Sequence, residues 1–273
     1  MKKRCLSDLT IKNDFMFGAV MINPENCKEF LERALEIEID RVDVSREKSM
    51  VYHPDYKGIR LDVYAKDENN TCYNVEMQMT KKPALGRRSR YYQSQMDMDI
   101  LLSGREYAEL PDSYVIFICD FDPFGERKYR YTFQMQCKES NQTPLEDERR
   151  IVFLSTCGEN EDEISKALLA FLKFVKADLK ESQGDFHDDY VKKLQEFIRH
   201  VKESREMEER FMTLEEMLKD ERKEGLKEGI KEGTIKAHKR IVSKMLSKGL
   251  SDEEIMELCD ISLEELENLK NHR

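Results

Sequence analysis

A chain of 273 residues is long enough for one large domain or two smaller ones, each with a buried core, so size alone does not exclude an enzyme. With 39% hydrophobic and 37% charged residues, no Trp and 6 Pro, it reads as soluble and helix-rich rather than disordered or secreted. The net charge of −10 argues against coating nucleic acid through a generally basic surface, and it is unevenly spread: −3 over residues 1–157 and −7 over 158–273.

Met1-Lys-Lys-Arg4 has the basic start of a signal peptide, but Ser7, Asp8, Lys12 and Asp14 interrupt the apolar stretch that would have to follow. Helical periodicity covers Asp14 to Met21 and Asn26 to Ile37, with Pro24 at a helix start. The period then changes to two: Val42-Val44, Ile59-Leu61-Val63 and Tyr73-Val75-Met77-Met79 alternate with polar partners as half-buried strands do. Asp67-Glu-Asn-Asn-Thr71 is turn-rich and predicts an antiparallel hairpin between the second and third strands. After Pro83 and Gly86 comes an amphipathic helix over about Arg87 to Leu102, closed by Gly104. Ser113 to Asp120 reads as a fully buried central strand, because it lacks alternation and is rich in β-branched and aromatic residues. Its apolar core, Tyr114 to Cys119, is the longest apolar run and far short of the roughly 20 residues of a membrane helix. The expectation is a cytoplasmic protein with no membrane span.

Tyr129 to Gln136 and Arg150 to Leu154 predict two further strands at the sheet's edge, and from Asp162 onward the pattern is wholly helical. Apolar stripes fall at Ala167 to Leu172, Leu194 to Val201 and Phe211 to Leu218. Lys-Glu-Gly occurs three times between Lys223 and Gly233, placing Gly225, Gly229 and Gly233 on one helical stripe that reads either as a flexible connector or as a close contact between helices. Ser251-Asp-Glu-Glu254 and Ser262-Leu-Glu-Glu265 are capping boxes, so Gly249 ends one helix and two short ones follow. The predicted organisation is a domain over 1–158, a helical extension over 159–240 and a helix-turn-helix-like appendage over 241–273. The seven cysteines are odd in number, and they and the five histidines are too dispersed to spell a zinc site; the cysteines read as reduced, mostly buried thiols.

Chemistry concentrates at the hairpin. If its loop is symmetric about Asn69, Asp62 and Glu76 face each other. Alternation puts Arg60, Asp62, Tyr64, Asn74, Glu76 and Gln78 on one face as a polar floor, with Leu61, Val63, Val75, Met77 and Met79 on the core face. Two like charges at about 5 Å repel by roughly 3 kcal/mol at an effective dielectric of 20. A divalent cation between them reverses that sign, and two hard carboxylate ligands suit Mg²⁺. The alternative has Asp62 paired with Arg60 or a nearby lysine on a solvated face. Immediately downstream, Lys81-Lys-Pro-Ala-Leu-Gly-Arg87-Arg-Ser-Arg90 holds five basic residues and no acid, at a helix N-terminus, which suits a phosphate-bearing substrate or simply a solvated surface. Arg88, Tyr92 and Gln95 share one helical face and read as lining a DNA groove, although Tyr91 and Tyr92 suit a core equally well.

The stretches IKNDFMFGAVM, KGIRLDVYAKDENNTCYNVEMQM, RRSRYYQSQMDMDILLSGREYAELPDSYVIFICDFDPFG and YRYTFQMQC resemble the recombination-promoting nuclease (Rpn) family of transposases within the PD-(D/E)XK phosphodiesterase superfamily, over about residues 7–158. The resemblance implies an α/β, restriction-endonuclease-like αβββαβ core with a mixed sheet, here followed by an all-helical C-terminal extension; the element order read above agrees. It puts the metal-binding aspartate on Asp62 and the Glu-x-Gln motif on Glu76 and Gln78, with Asp14 either a supporting acid in the first helix or simply a carboxylate of the kind favoured at a helix N-terminus. Where the superfamily usually has Lys, Gln78 stands, and Lys82 shares its strand face by parity if the strand runs that far. A literal Pro54-Asp55 is set aside as lying too near a turn.

The implied activity is DNA endonuclease chemistry with Mg²⁺ or Mn²⁺, in recombination or mobile-element biology, with Lys81, Lys82, Arg87, Arg88, Arg90 and Gln95 against DNA. The competing reading is an inactive descendant that keeps the fold as a binding or regulatory module. Glu264, Glu265 and Glu267 repel phosphates, so the tail is expected to meet protein, with a homodimer through the helical C-terminal region as one form.

Overall fold

Helices form first where the sequence supplies both a cap and an apolar face. The structure is a computed structural model that describes residues 5–50, 59–140 and 143–271; Pro54-Asp55 and Met1 to Arg4 lie outside the described residues. The Asn13 side chain accepts from the N–H groups of Phe15 and Met16 and opens α1 (Asp14–Met21). Asn23 caps α2 (Pro24–Leu35), Pro24 occupies its first turn, and Glu36 ends it in the left-handed region at φ 58°.

Among the described residues six strands follow, β1 (Val42–Met50), β2 (Ile59–Asp67), β3 (Cys72–Gln78), β4 (Ser113–Cys119), β5 (Arg130–Phe133) and β6 (Arg149–Ser155), in the order β1-β2-β3-β4-β6-β5. The first three form an antiparallel meander. Asp67 makes the β2–β3 turn: its Oδ1 accepts from the N–H groups of Asn69 and Thr71, both at 2.9 Å, and Asn70 takes φ 65°. Val63 pairs with Val75, Tyr64 with Asn74, Ala65 with Tyr73 and Lys66 with Cys72, the register expected of a loop symmetric about Asn69. The chain then crosses over through α3 (Leu85–Ile100), so β4 runs parallel to β3 and β6 parallel to β4, giving the mixed sheet of the αβββαβ core.

Two expectations change. Of the two strands expected at the sheet's edge, β5 is there, whereas β6, with Val152, Phe153 and Leu154 buried, lies between β4 and β5; β1 forms the other edge. The polar face of the hairpin is not an open floor, because the crossover helix must pack back on the sheet that it joins. Tyr92 and Met96 of α3 form one buried cluster with Tyr64, Val115, Phe117 and Phe153. Asn74, Glu76 and Gln78 are therefore 0%, 1% and 4% exposed, and both faces of β3 are core.

The opposite side of the sheet carries α1 and α2, and against these pack α4 (Lys166–Lys176) and α5 (Asp189–Glu203). Phe30 meets Phe171 with centroids 5.1 Å apart, the Tyr190 hydroxyl donates to the carbonyl of Asn26 at 2.6 Å, and Arg33 pairs with Asp188 at 2.8 Å. The first compact unit therefore runs to Glu208. α6 (Arg205–Ser247) is one helix of 43 residues, unbroken through the Lys-Glu-Gly repeat. In the second unit, from Glu209, Val242 packs with Ile255 of α7 (Asp252–Cys259) and Leu266 of α8 (Leu263–Asn271), and the Ser251 capping box closes as expected. All seven cysteines are unpaired, but only Cys27, Cys72 and Cys119 are buried. No helix among the described residues is long and apolar enough to cross a membrane.

Gly158 follows β6 where the chain passes against Tyr129, and a Cβ there would lie 2.4 Å from the ring and 2.6 Å from the backbone nitrogen of Tyr129. Gly158→Ala is expected to destabilise the first unit by about 1–3 kcal/mol in urea unfolding, as overpacking does. Gly229→Ala, in an open helical position, gains up to about 1 kcal/mol.

Candidate active site

Beyond the Val63–Val75 pair, β2 and β3 are joined by side chains. The N–H of Asp62 donates to Oε1 of Glu76 and the N–H of Met77 donates to Oδ2 of Asp62, both at 3.3 Å. Each carboxylate thus takes the place of a strand carbonyl, which fixes the two acids against each other.

Both are held above the ordinary carboxylate range. Burial, then the charge of Asp14, raises Asp62 from 3.8 to about 6, against the opposing N–H of Met77, Arg88 and Arg60. Burial, then the charge of Asp62, raises Glu76 from 4.5 to about 8, opposed first by Arg88. Asp14 stands at the start of α1 with its side chain reached by solvent, yet enough protein surrounds it for desolvation to raise its pKa; Lys82, Arg60 and Arg88 act the other way. The first helix therefore brings a third acid within electrostatic reach of the pair.

The compensating cation is Arg88. Its Nη2 donates to Oε2 of Glu76 in a short contact, its Nη1 to Oε1 of Gln78 at 3.0 Å and its Nε to the Tyr92 hydroxyl at 2.7 Å. The guanidinium lies 5.0 Å from the Tyr92 centroid and 5.5 Å from that of Phe117, and the side chain is 27% exposed. Gln78 also donates from Nε2 to the carbonyl of Met77 at 2.8 Å. Asn74, next on the same face, is close enough to favour ionised Glu76 but has neither amide atom in hydrogen-bond geometry with a protein group.

The other predicted residues divide cleanly. Lys81 and Lys82 are exposed on the segment leading into α3, and Arg87 and Arg90 are exposed in its first two turns. β3 ends at Gln78, so Lys82 is not on the strand, and the positive charge beside Gln78 comes instead from Arg88, one helical turn into α3. Arg88 faces the carboxylates rather than an open groove, Tyr92 belongs to the core, and Gln95 is 7% exposed, too buried to read DNA. The role of Arg88 as partner to the Glu-x-Gln motif was missed in the sequence; its available signal was the i, i+4 spacing to Tyr92. A separate cavity of about 530 Å³ along α2 is lined by charges that pair with one another, Lys28 with Glu32 and Arg33 with Glu29, and contains neither Asp62 nor Glu76.

Among the described residues no group of three or more His, Cys, Asp or Glu side chains is arranged to hold a metal. A half-buried and a buried carboxylate held against each other, the second already drawing in a guanidinium, do fit a hard divalent cation of the kind that binds through one or two carboxylates and keeps most of its waters.

A family model described as PD-(D/E)XK nuclease family transposase matches residues 11–228. The chain belongs to this family. The match takes in Asp14, Asp62, Glu76 and Gln78 and extends beyond the stretch over 7–158 that carries the resemblance, through α4 and α5 into α6. No curated protein and no solved structure matches the chain significantly.

A carboxylate whose folded pKa is raised holds a proton that the unfolded chain has released, so it costs stability as pH rises between the two values. For Glu76 that window runs from 4.5 to about 8. In EDTA the melting temperature is expected to fall across it, and Glu76→Gln is expected to flatten the fall. Parallel profiles for the two proteins would mean that Glu76 is ionised throughout.

Proposed function

We propose that the chain is a divalent-metal-dependent DNA endonuclease that hydrolyses phosphodiester bonds in the service of a mobile element or of recombination. The observation that carries this reading is the cross-bonded pair of the half-buried Asp62 and the buried Glu76, beside a segment, Met77 to Met96, that contains no acid and five exposed or inward-turned basic residues. Asp62 and Glu76 would hold Mg²⁺ or Mn²⁺, which when bound polarises a phosphodiester and lowers the pKa of an attacking water. Asp14 adds negative charge from α1. Gln78, neutral, orients a polar group by its amide. Arg88 meets the scissile phosphate when it leaves Glu76, since a guanidinium pairs with phosphate as well as with carboxylate. Lys81, Lys82, Arg87 and Arg90 hold the DNA backbone on either side.

We place this activity in the cytoplasm and assign the helical C-terminal region to pairing with a second copy, which would supply a second active site for the opposite strand. A second reading is favoured by one observation: both oxygens of Glu76 are engaged by protein donors, as they would be in a nuclease fold retained only for binding or regulation.

Supercoiled plasmid incubated with Mg²⁺, Mn²⁺ or EDTA separates the two. The endonuclease reading expects metal-dependent nicking that falls by at least about 10²-fold in Asp62→Ala and Glu76→Ala and less in Asp14→Ala. Cutting that survives both substitutions would place the chemistry elsewhere, and no cutting with any metal supports the binding module.

A further inference from the structure

We infer that the cavity beside the candidate active site is a docking site for an unpaired nucleobase, which makes single-stranded or locally opened DNA the preferred form of the substrate; this rests on the nuclease reading above. The cavity, of about 450 Å³, lies between residues 81–86, which follow β3, and Pro123, Phe124 and Phe153. β3 and β4 are adjacent parallel strands, and both segments leave their C-terminal ends, where Gln78 pairs with Cys119 and the N–H of Asp120 donates to the carbonyl of Gln78 at 2.9 Å. Open α/β sheets bind ligands at that end of their parallel strands. The cavity thus lies just beyond the end of the strand that carries the Glu-x-Gln motif.

Its two walls differ in chemistry. One presents the exposed ammonium groups of Lys81 and Lys82. The other presents Phe124, 45% exposed but firmly held. Asp122 accepts from the N–H groups of Phe124 (3.0 Å), Gly125 (2.9 Å) and Arg127 (2.8 Å) and from the Tyr131 hydroxyl (3.0 Å), and Gly125 takes φ 86° to close the loop. The ring stands edge-on to Phe153 at 5.0 Å and packs against Tyr131 at 4.8 Å and Phe133 at 5.1 Å. A rigid aromatic face offered to solvent beside two lysines is the combination that holds single strands: cations track the backbone while each base, having a π-face, stacks on the ring. In a chain of net charge −10, a cation-lined apolar cavity selects a polyanion with flat apolar groups over an acidic or neutral protein surface.

The test measures binding without cleavage. A labelled oligonucleotide, single-stranded or as its duplex, is titrated by anisotropy in EDTA with the full chain, Phe124→Leu and Phe124→Tyr. Leu keeps the packing against Phe153 and removes the stacking face; Tyr keeps both, and melting curves check that each variant folds. The expected result is roughly tenfold weaker single-strand binding for Phe124→Leu, within twofold of the parent on the duplex, and parental binding for Phe124→Tyr. Single-strand binding by Phe124→Leu equal to the parent, or an equal loss on the duplex, would overturn the base-docking site and leave the nuclease reading standing. Failure of the parent to bind either form would overturn both.

Discussion

A buried carboxylate held beside a half-buried one needs a positive charge, and much of this structure serves to supply one. Asp62 and Glu76 are tied to each other's strands through the N–H groups of Asp62 and Met77, so neither can turn away from the other's field. Burial raises both pKa values, with the charge of Asp14 adding to the rise at Asp62 and that of Asp62 to the rise at Glu76, and the protein answers with the guanidinium of Arg88. Breaking a buried ion pair by removing one partner typically costs about 3–5 kcal/mol, whereas the intact pair adds little net stability. Such an arrangement is a poor way to hold a sheet together and a good way to hold a cation.

The fold delivers each part by an ordinary structural route. The Asp67 turn fixes the hairpin register, and with it the opposition of the two acids. A parallel β3–β4 pair requires a crossover, and the crossover helix must return over the face that carries Glu76 and Gln78. Arg88 lies at the start of that helix, where Tyr92 one turn on fixes its Nε and Gln78 its Nη1. α1 adds Asp14 from the far side of the strand ends. The positive charge that a lysine at position 78 would bring is present but belongs to another element.

Local signals made most of this legible in the sequence. Period-two alternation and the Asp-Glu-Asn-Asn-Thr turn located the hairpin and its register, and the unbroken apolar run of Ser113 to Cys119 marked the central strand. Covering of the polar face was not legible, because Tyr64, Asn74 and Gln95 look equally at home in water and against a helix. The bonds of Arg88 to Glu76 and Gln78 were not legible for the same reason: helical spacing gives the face of a residue but not what that face meets. Likewise the glycines of the Lys-Glu-Gly repeat weaken a helix without ending it, and the long α6 absorbs them among strong helix formers. Tertiary packing decided these cases, and α4 and α5 joined the first unit through Phe171 and Tyr190, whose partners in α2 lie far away in the chain.

The central claim is that Arg88 stands where a divalent cation would bind. Calorimetric titration of Mg²⁺ or Mn²⁺ into the metal-free protein, Glu76→Gln and Arg88→Ala tests it most directly, with no DNA present. The account predicts one site in the parent, none in Glu76→Gln, and tighter binding in Arg88→Ala once the competing guanidinium is gone. Equal affinity in the parent and Glu76→Gln, or no gain in a folded Arg88→Ala, would contradict it.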